Sequence, residues 1–211
     1  MTDMGMEGAP MNAAAPSSRR RKVKLVVSAA LAMLALVGCK ADVIAYDLPA
    51  ESARYSFRAE TDGVKTVWGY TSERPTKADT PTSQPCLADV VVKEPGPCRP
   101  EPLIFLRYDF GLGLDNTAPA EEAHPVTVTG YYQDRLGTPP TVTRLRAEAS
   151  FDGGKTWKPV TTTAGGKNTF TARITHPSRD RASGGVALRI SATDSAGNTV
   201  EQTIPQAYRL R

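Results

Sequence analysis

The chain has 211 residues, with 26 Lys and Arg against 22 Asp and Glu, two histidines, three cysteines and a formal charge of +4. Residues 1–38 hold five of those cations and only two of the acids, so the remainder carries 21 bases and 20 acids. That near-neutral balance leaves little charge to neutralise a phosphate backbone, and no nucleic-acid partner is expected.

Residues 19–24 hold five cations, and the uncharged run from Leu25 to Val37 follows at once. A basic region, a short apolar core and small residues before a cut are the parts of a secretory signal. This run of 13 residues falls short of the roughly 20 that a spanning helix needs. The four residues Leu36-Val37-Gly38-Cys39 then resemble a bacterial lipobox, whose cysteine takes a diacylglyceryl group and becomes the new N-terminus. Residues 1–38 are therefore expected to be a lipoprotein signal peptide. Cys39 would be the lipidation site, and the mature chain would sit on the extracellular face of the cytoplasmic membrane. Simple secretion is the alternative. Ser18 to Lys22 carries an arginine run like a twin-arginine signal but lacks the apolar pair that usually follows, so both export routes stay open.

Beyond Cys39 no long stretch shows a 3.6-residue apolar period. Short alternating runs are instead separated by Gly, Pro, Asn and Asp, the pattern of an all-β fold. Residues 39–114 are expected to form a small β module. Its hairpin places Tyr55, Phe57 and Ala59 on one face, turns at Asp62-Gly63 and returns through Trp68 and Tyr70. A polar, proline-rich stretch follows, and Cys86 and Cys98 would pin it as a disulfide in an oxidising compartment. Closing so short a loop contributes about 3 kcal/mol on the chain-entropy account.

Residues 115–125 are expected to be a linker. Residues 126–211 then read as an immunoglobulin- or fibronectin-III-like β-sandwich. Its strands would be 126–132, 143–151, the stretch after Gly154, 169–176, 186–194 and 199–208. Leu145, Ala147, Ala149, Phe151, Phe170, Ala172, Ile174, Val186, Leu188, Ile190 and Ala192 point inward. A seventh strand is available in residues 102–110.

Candidate chemistry is sparse. His124 and His176 each precede or follow loop-forming residues, and neither accompanies a G-x-S-x-G or H-E-x-x-H motif, so no catalytic residue, metal or cofactor is expected. Glu121 and Glu122 are adjacent rather than set across a cleft, as glycoside hydrolysis would need. Ser150, Asp152, Gly154, Thr156 and Trp157 fit the Asp-box pattern S-x-D-x-G-x-T-W, expected to act as a structural turn in which the Asp152 carboxylate accepts backbone hydrogen bonds. Trp68, Tyr70 and Trp157 are the aromatics available for stacking on a sugar, although in a small sandwich such residues usually belong to the core. Thr193 to Asn198 reads as a hairpin turn, with calcium binding the sharper alternative.

The segments at 102–120, 150–160 and 186–211 resemble the accessory region that follows the catalytic domain in secreted subtilisin-like serine peptidases of high-GC Gram-positive bacteria. The likeness covers about residues 45–211. The triad segments of that family, an Asp-[Ser/Thr]-Gly, a His-Gly-Thr and a Gly-Thr-Ser-Met, have no counterpart here. The resemblance thus implies a non-catalytic accessory β region. The expected function is a lipid-anchored interaction module binding a protein partner at the cell surface. A carbohydrate- or cell-wall-binding module is the alternative, and a degenerate peptidase-related protein the remote one.

Overall fold

Alternation decides where the strands form. In the computed structural model, which describes residues 46–80, 96–182 and 184–211, the fold is all-β with two short 3-10 turns. The strands are β1 (Ala53–Thr61), β2 (Val64–Ser72), β3 (Phe105–Asp109), β4 (Thr117–Ala118), β5 (Ala123–Tyr131), β6 (Val142–Ser150), β7 (Lys158–Ala164), β8 (Thr169–Thr175), β9 (Val186–Asp194) and β10 (Thr199–Leu210). Apolar residues two apart recur in nearly all of them, so one face of each strand is removed from water while the other stays solvated. Between β1 and β2 the two turn residues, Asp62 and Gly63, both take positive φ (52° and 78°), the conformation a two-residue hairpin requires.

Neighbouring strands follow the order β1-β2-β10-β9-β6-β7-β8-β5-β3, all antiparallel, and β4 lies parallel to the end of β10. The sheet curls because β7 serves two partners. Its first half pairs with β6, with Val160 opposite Ala147, and its second half pairs with β8, with Thr162 opposite Ala172. A front layer of β1, β2, β10, β9 and β6 therefore faces a back layer of β8, β5 and β3. Across the front layer one inward row reads Phe57, Trp68, Val200, Ala192 and Leu145. The back layer contributes Val126, Val128, Phe170, Ala172 and Ile174. Ile104, just before β3, is completely buried, and its carbonyl accepts a 2.8 Å hydrogen bond from the Trp68 indole N–H. Burying each aliphatic side chain of this size contributes about 1.5–3 kcal/mol.

The inward faces read from the C-terminal strands are the observed ones, Leu145 to Ala192 lying in the core, except at Phe151, which follows the end of β6 and is only partly buried against it. The division into two modules is not what the strands do. β2 pairs directly with β10, β3 pairs with β5, and Trp68, Tyr70 and Ile104 join Val126 and Ile190 in one apolar cluster. Nor are residues 115–125 a linker. Thr117 and Ala118 form β4, Ala118 is buried, and β5 already begins at Ala123. The Pro and Glu residues that suggest a loop are compatible with strand ends because the donor they lack or the charge they carry faces water.

A fragment beginning at residue 115 should therefore be molten. It lacks β1, β2 and β3, which cover Val200 and Val128, and it loses Ile104 from the centre of the core. Near-UV circular dichroism checks this: a fragment with a native-like aromatic spectrum and a cooperative melt would restore the two-module division.

Candidate functional site

The face that the core does not use is the most distinctive surface of the molecule. Residues alternating with the buried row point outward, and strand register aligns them across the front layer. One outward row reads Ser56, Gly69, Thr199, Thr193 and Arg144; the next reads Arg58, Val67, Glu201, Ser191 and Arg146. Four inter-strand spacings of about 4.8 Å separate β1 from β6, so these rows are roughly 19 Å wide. Apart from Glu201, small side chains occupy the three middle strands, and arginines stand on the outer two. Two shallow depressions meet at Ser191 and Glu201, one lined by Arg54 and Arg58 and the other by Arg146. With Arg144 outward in register beside Thr193, they make a trough along the strands with arginines on both sides.

Gly69 shapes the floor. A Cβ there would lie 2.8 Å from Thr199 Oγ1 and 3.0 Å from Arg54 Nη2, so only glycine lets the Arg54 guanidinium lie across the strand to donate to Thr199 Oγ1 at 3.3 Å. Among the described residues none of the four trough arginines forms an ion pair, and Glu201 is the single acid on the two rows. The adjacent outward row is different. There Lys65 meets Glu60 at 3.9 Å and Arg189 meets Glu148 at 3.3 Å. Sequence reading did not assemble this site, since the walls lie about ninety residues apart and only the pairing of β2 with β10 brings them onto one surface.

The Asp-box residues form the expected turn. Ser150 is buried and its Oγ donates to Asp152 Oδ1 at 2.8 Å while accepting from the Gly154 N–H at 2.9 Å. Asp152 Oδ1 also accepts from the N–H groups of Lys155 and Thr156, and Oδ2 from the Thr156 hydroxyl at 2.6 Å. Those donors, the Thr156 hydroxyl first, hold the Asp152 carboxyl well below the usual carboxylate range. Trp157 is half-buried, with the Arg189 guanidinium 4.2 Å above its ring, so one face is already occupied by a cation. The Asp194 turn uses the same device more deeply. Its carboxylate accepts from Tyr132 Oη, from the N–H groups of Ala196 and Asn198 and from Asn198 Nδ2, all at 2.8–2.9 Å. Four donors on one buried carboxylate make a hairpin turn with no free oxygen for calcium.

Trp68 and Tyr70 are core residues, with 9% and 3% of their surface exposed, so neither offers a ring face to a sugar. Tyr70 stacks on Tyr55, and its hydroxyl shares a hydrogen bond with that of Tyr46. Glu101 lies beside this group. Burial pushes its carboxyl up from the ordinary glutamate value, and its Oε2, like the Tyr55 hydroxyl, is buried without a hydrogen-bond partner. Next to it Arg99 donates to Ser72 Oγ and to the Glu73 carbonyl, both at 3.2 Å. Cys98 is partly buried, and its backbone N–H donates to Thr80 Oγ1. The expected signal peptide, Cys39 and Cys86 lie outside the described residues.

The two histidines, 52 positions apart, come together. Their rings stack with centroids 5.3 Å apart, and both pack on Tyr208. His176 Nδ1 lies 2.7 Å from the Pro119 carbonyl, which can only accept, so Nδ1 carries the hydrogen. Nε2 therefore accepts from the Tyr208 hydroxyl at 2.8 Å. His124 Nε2 donates to the Phe110 carbonyl. Both nitrogens of His176 are spent inside the core, and the pair clamps β5 and the end of β8 to β10.

Burial holds His176 below the ordinary histidine value of 6.5. The unfolded chain thus binds a proton more readily, and stability falls as pH drops below about 6.5. Glu101 acts in the opposite direction: its raised carboxyl favours the protonated native state, so its contribution is fullest at low pH and declines as pH rises above the ordinary value of 4.5. A Glu101→Gln variant should therefore lose more melting temperature than wild type between pH 7 and pH 5 in calorimetric scans. Equal slopes would show that the two groups do not titrate as their surroundings dictate. No known protein family, curated protein or solved structure matches this chain.

Proposed function

We propose that the protein is a non-catalytic, exported, lipid-anchored interaction module that binds a protein partner at the extracellular face of the cytoplasmic membrane. It would be related to the accessory region of subtilisin-like peptidases. The observation that carries this reading is the arginine-walled trough on the open face of the front layer. Four cations without ion-pair partners, held over a floor of small residues, form a surface suited to recognition rather than to proton transfer. The histidines, by contrast, are used in packing. The carbohydrate-binding alternative is less well supported, because Trp68 and Tyr70 are buried and Trp157 is covered by Arg189. An immunoglobulin- or fibronectin-III-like type of sandwich, and a Cys86–Cys98 disulfide closing residues 87–97, are parts of the same proposal. Lipid at Cys39 would hold the chain on the membrane stably only with a second acyl chain, since one chain gives marginal binding.

Metabolic labelling with a palmitate analogue tests the anchor. Label should enter the wild-type chain and disappear in Cys39→Ser, which should leave the membrane fraction; label retained in the variant would refute the lipidation site. Protein purified from the envelope should likewise contain no free thiol at Cys86 or Cys98 by maleimide mass tagging, and tagging of both without reductant would refute the disulfide. Peptidase activity in the purified chain that survives thorough removal of contaminating proteases would overturn the non-catalytic reading.

A further inference from the structure

The trough carries a more specific statement about its occupant. It rests on the reading of the protein as an interaction module and goes one step beyond it. We infer that the trough binds an extended, acidic peptide segment of the partner, laid parallel to the strands between the arginines of β1 and those of β6.

The two outward rows and Arg54 together bear four arginines and one glutamate, and all five side chains are exposed. Guanidinium groups pair with carboxylates through two parallel N–H···O bonds, which favours planar acids over a diffuse counter-ion cloud. Spacing comes next. Arg144 and Arg146 are two residues apart on β6, about 7 Å, and Arg54 and Arg58 are four apart on β1, about 14 Å. An extended peptide lying along the trough repeats with the same period. Its odd side chains then reach one wall and its even side chains the other, so a run of consecutive acids serves both.

The floor sets the remaining conditions. The Arg54 guanidinium lies over Gly69 against Thr199, Ser191 and Thr193 offer hydroxyls to a main chain, and neither outward row holds an aromatic residue to stack a sugar. Glu201, at the centre of the floor, repels an acid placed directly above it. It disfavours an acid at that one position of the occupant without forbidding it, and makes neutralising that single residue diagnostic.

The test uses the full-length chain in detergent and a fluorescein-labelled octaglutamate peptide, with fluorescence anisotropy as the readout. Octaglutamate should bind at low salt and weaken as added salt screens the contacts, whereas octalysine should not bind. The Arg58→Glu/Arg146→Glu double variant should weaken binding about tenfold, and Glu201→Gln should tighten it about two- to fivefold. Arg58→Gln/Arg146→Gln provides a milder variant should charge reversal perturb the fold, and should weaken binding in the same direction. The inference is overturned by absent octaglutamate binding, by binding that ignores both the arginine and the Glu201 substitutions, or by a uronic-acid oligosaccharide that binds in an arginine-dependent way while octaglutamate does not. Photo-crosslinking from position 146 to an envelope protein, alongside absent octaglutamate binding, would reject the acidic segment while leaving the interaction module standing.

Discussion

β10 is the strand on which the rest of the fold depends. Over Thr199–Thr203 it is hydrogen-bonded on both edges, to β9 and to β2, and its last residues pair with β4. Without the β2 pairing the hairpin of β1 and β2 would be an isolated two-stranded ribbon, a unit that is marginal in water. With it, Phe57 and Trp68 stack over the core at 5.5 Å between centroids, and the Trp68 indole finds its acceptor at Ile104. Tyr208, near the far end of the same strand, receives the two histidines. One strand thus ties the earliest described segment, the middle of the chain and the C-terminus into a single core.

The same pairing makes the candidate site. A strand in the centre of a sheet has two faces, and period-two alternation assigns them without compromise. Val200 goes inward and Thr199 and Glu201 go outward, opposite Trp68, Gly69 and Val67 respectively. A one-residue slip between β2 and β10 would reverse the faces of the strand that moved, burying Glu201 if β10 slipped or exposing Trp68 if β2 did, so the hydrophobic register that stabilises the fold also fixes the order of the trough residues. Fold and candidate site are therefore not separable features of this chain.

How far the sequence discloses this depends on the range of the interaction. The Asp152 and Asp194 turns are local: apart from the Tyr132 hydroxyl on Asp194, donor and acceptor lie within four residues, so residue types alone indicate the bonds that form. The inward faces of β6, β8 and β9 are equally local, because alternation within one strand selects Leu145, Ile174 and Ile190 as core. What the sequence does not disclose is which strand lies beside which. β2 and β10 are separated by 130 positions where Gly69 meets Thr199, and nothing in either segment names the other. Proline and glutamate around residues 115–125 read as a linker because those residues favour loops, yet β10 offers that stretch a parallel partner and Ala118 a buried place. The histidine pair and the arginine walls stay hidden for the same reason, being products of topology rather than of motif.

The outward face contains its own comparison. Surface charges that serve only solubility are expected to intersperse both signs. The row of Glu60, Lys65, Thr203, Arg189 and Glu148 does so, and its charges meet in pairs. The two neighbouring rows belong to the same strands, share the same solvent and bear the same demand for twist and spacing, yet their arginines stand unpaired with acids around a floor kept small. Gly69 sharpens the contrast. A glycine inside a strand weakens it through added unfolded-state entropy and a missing side chain, and here no turn or positive φ calls for one. A Cβ there would lie 2.8 Å from Thr199 Oγ1 and 3.0 Å from Arg54 Nη2, so the glycine lets the Thr199 side chain pack on β2 and the Arg54 guanidinium lie across it. The close packing of these two side chains accounts for the glycine and at the same time shapes the floor of the candidate site.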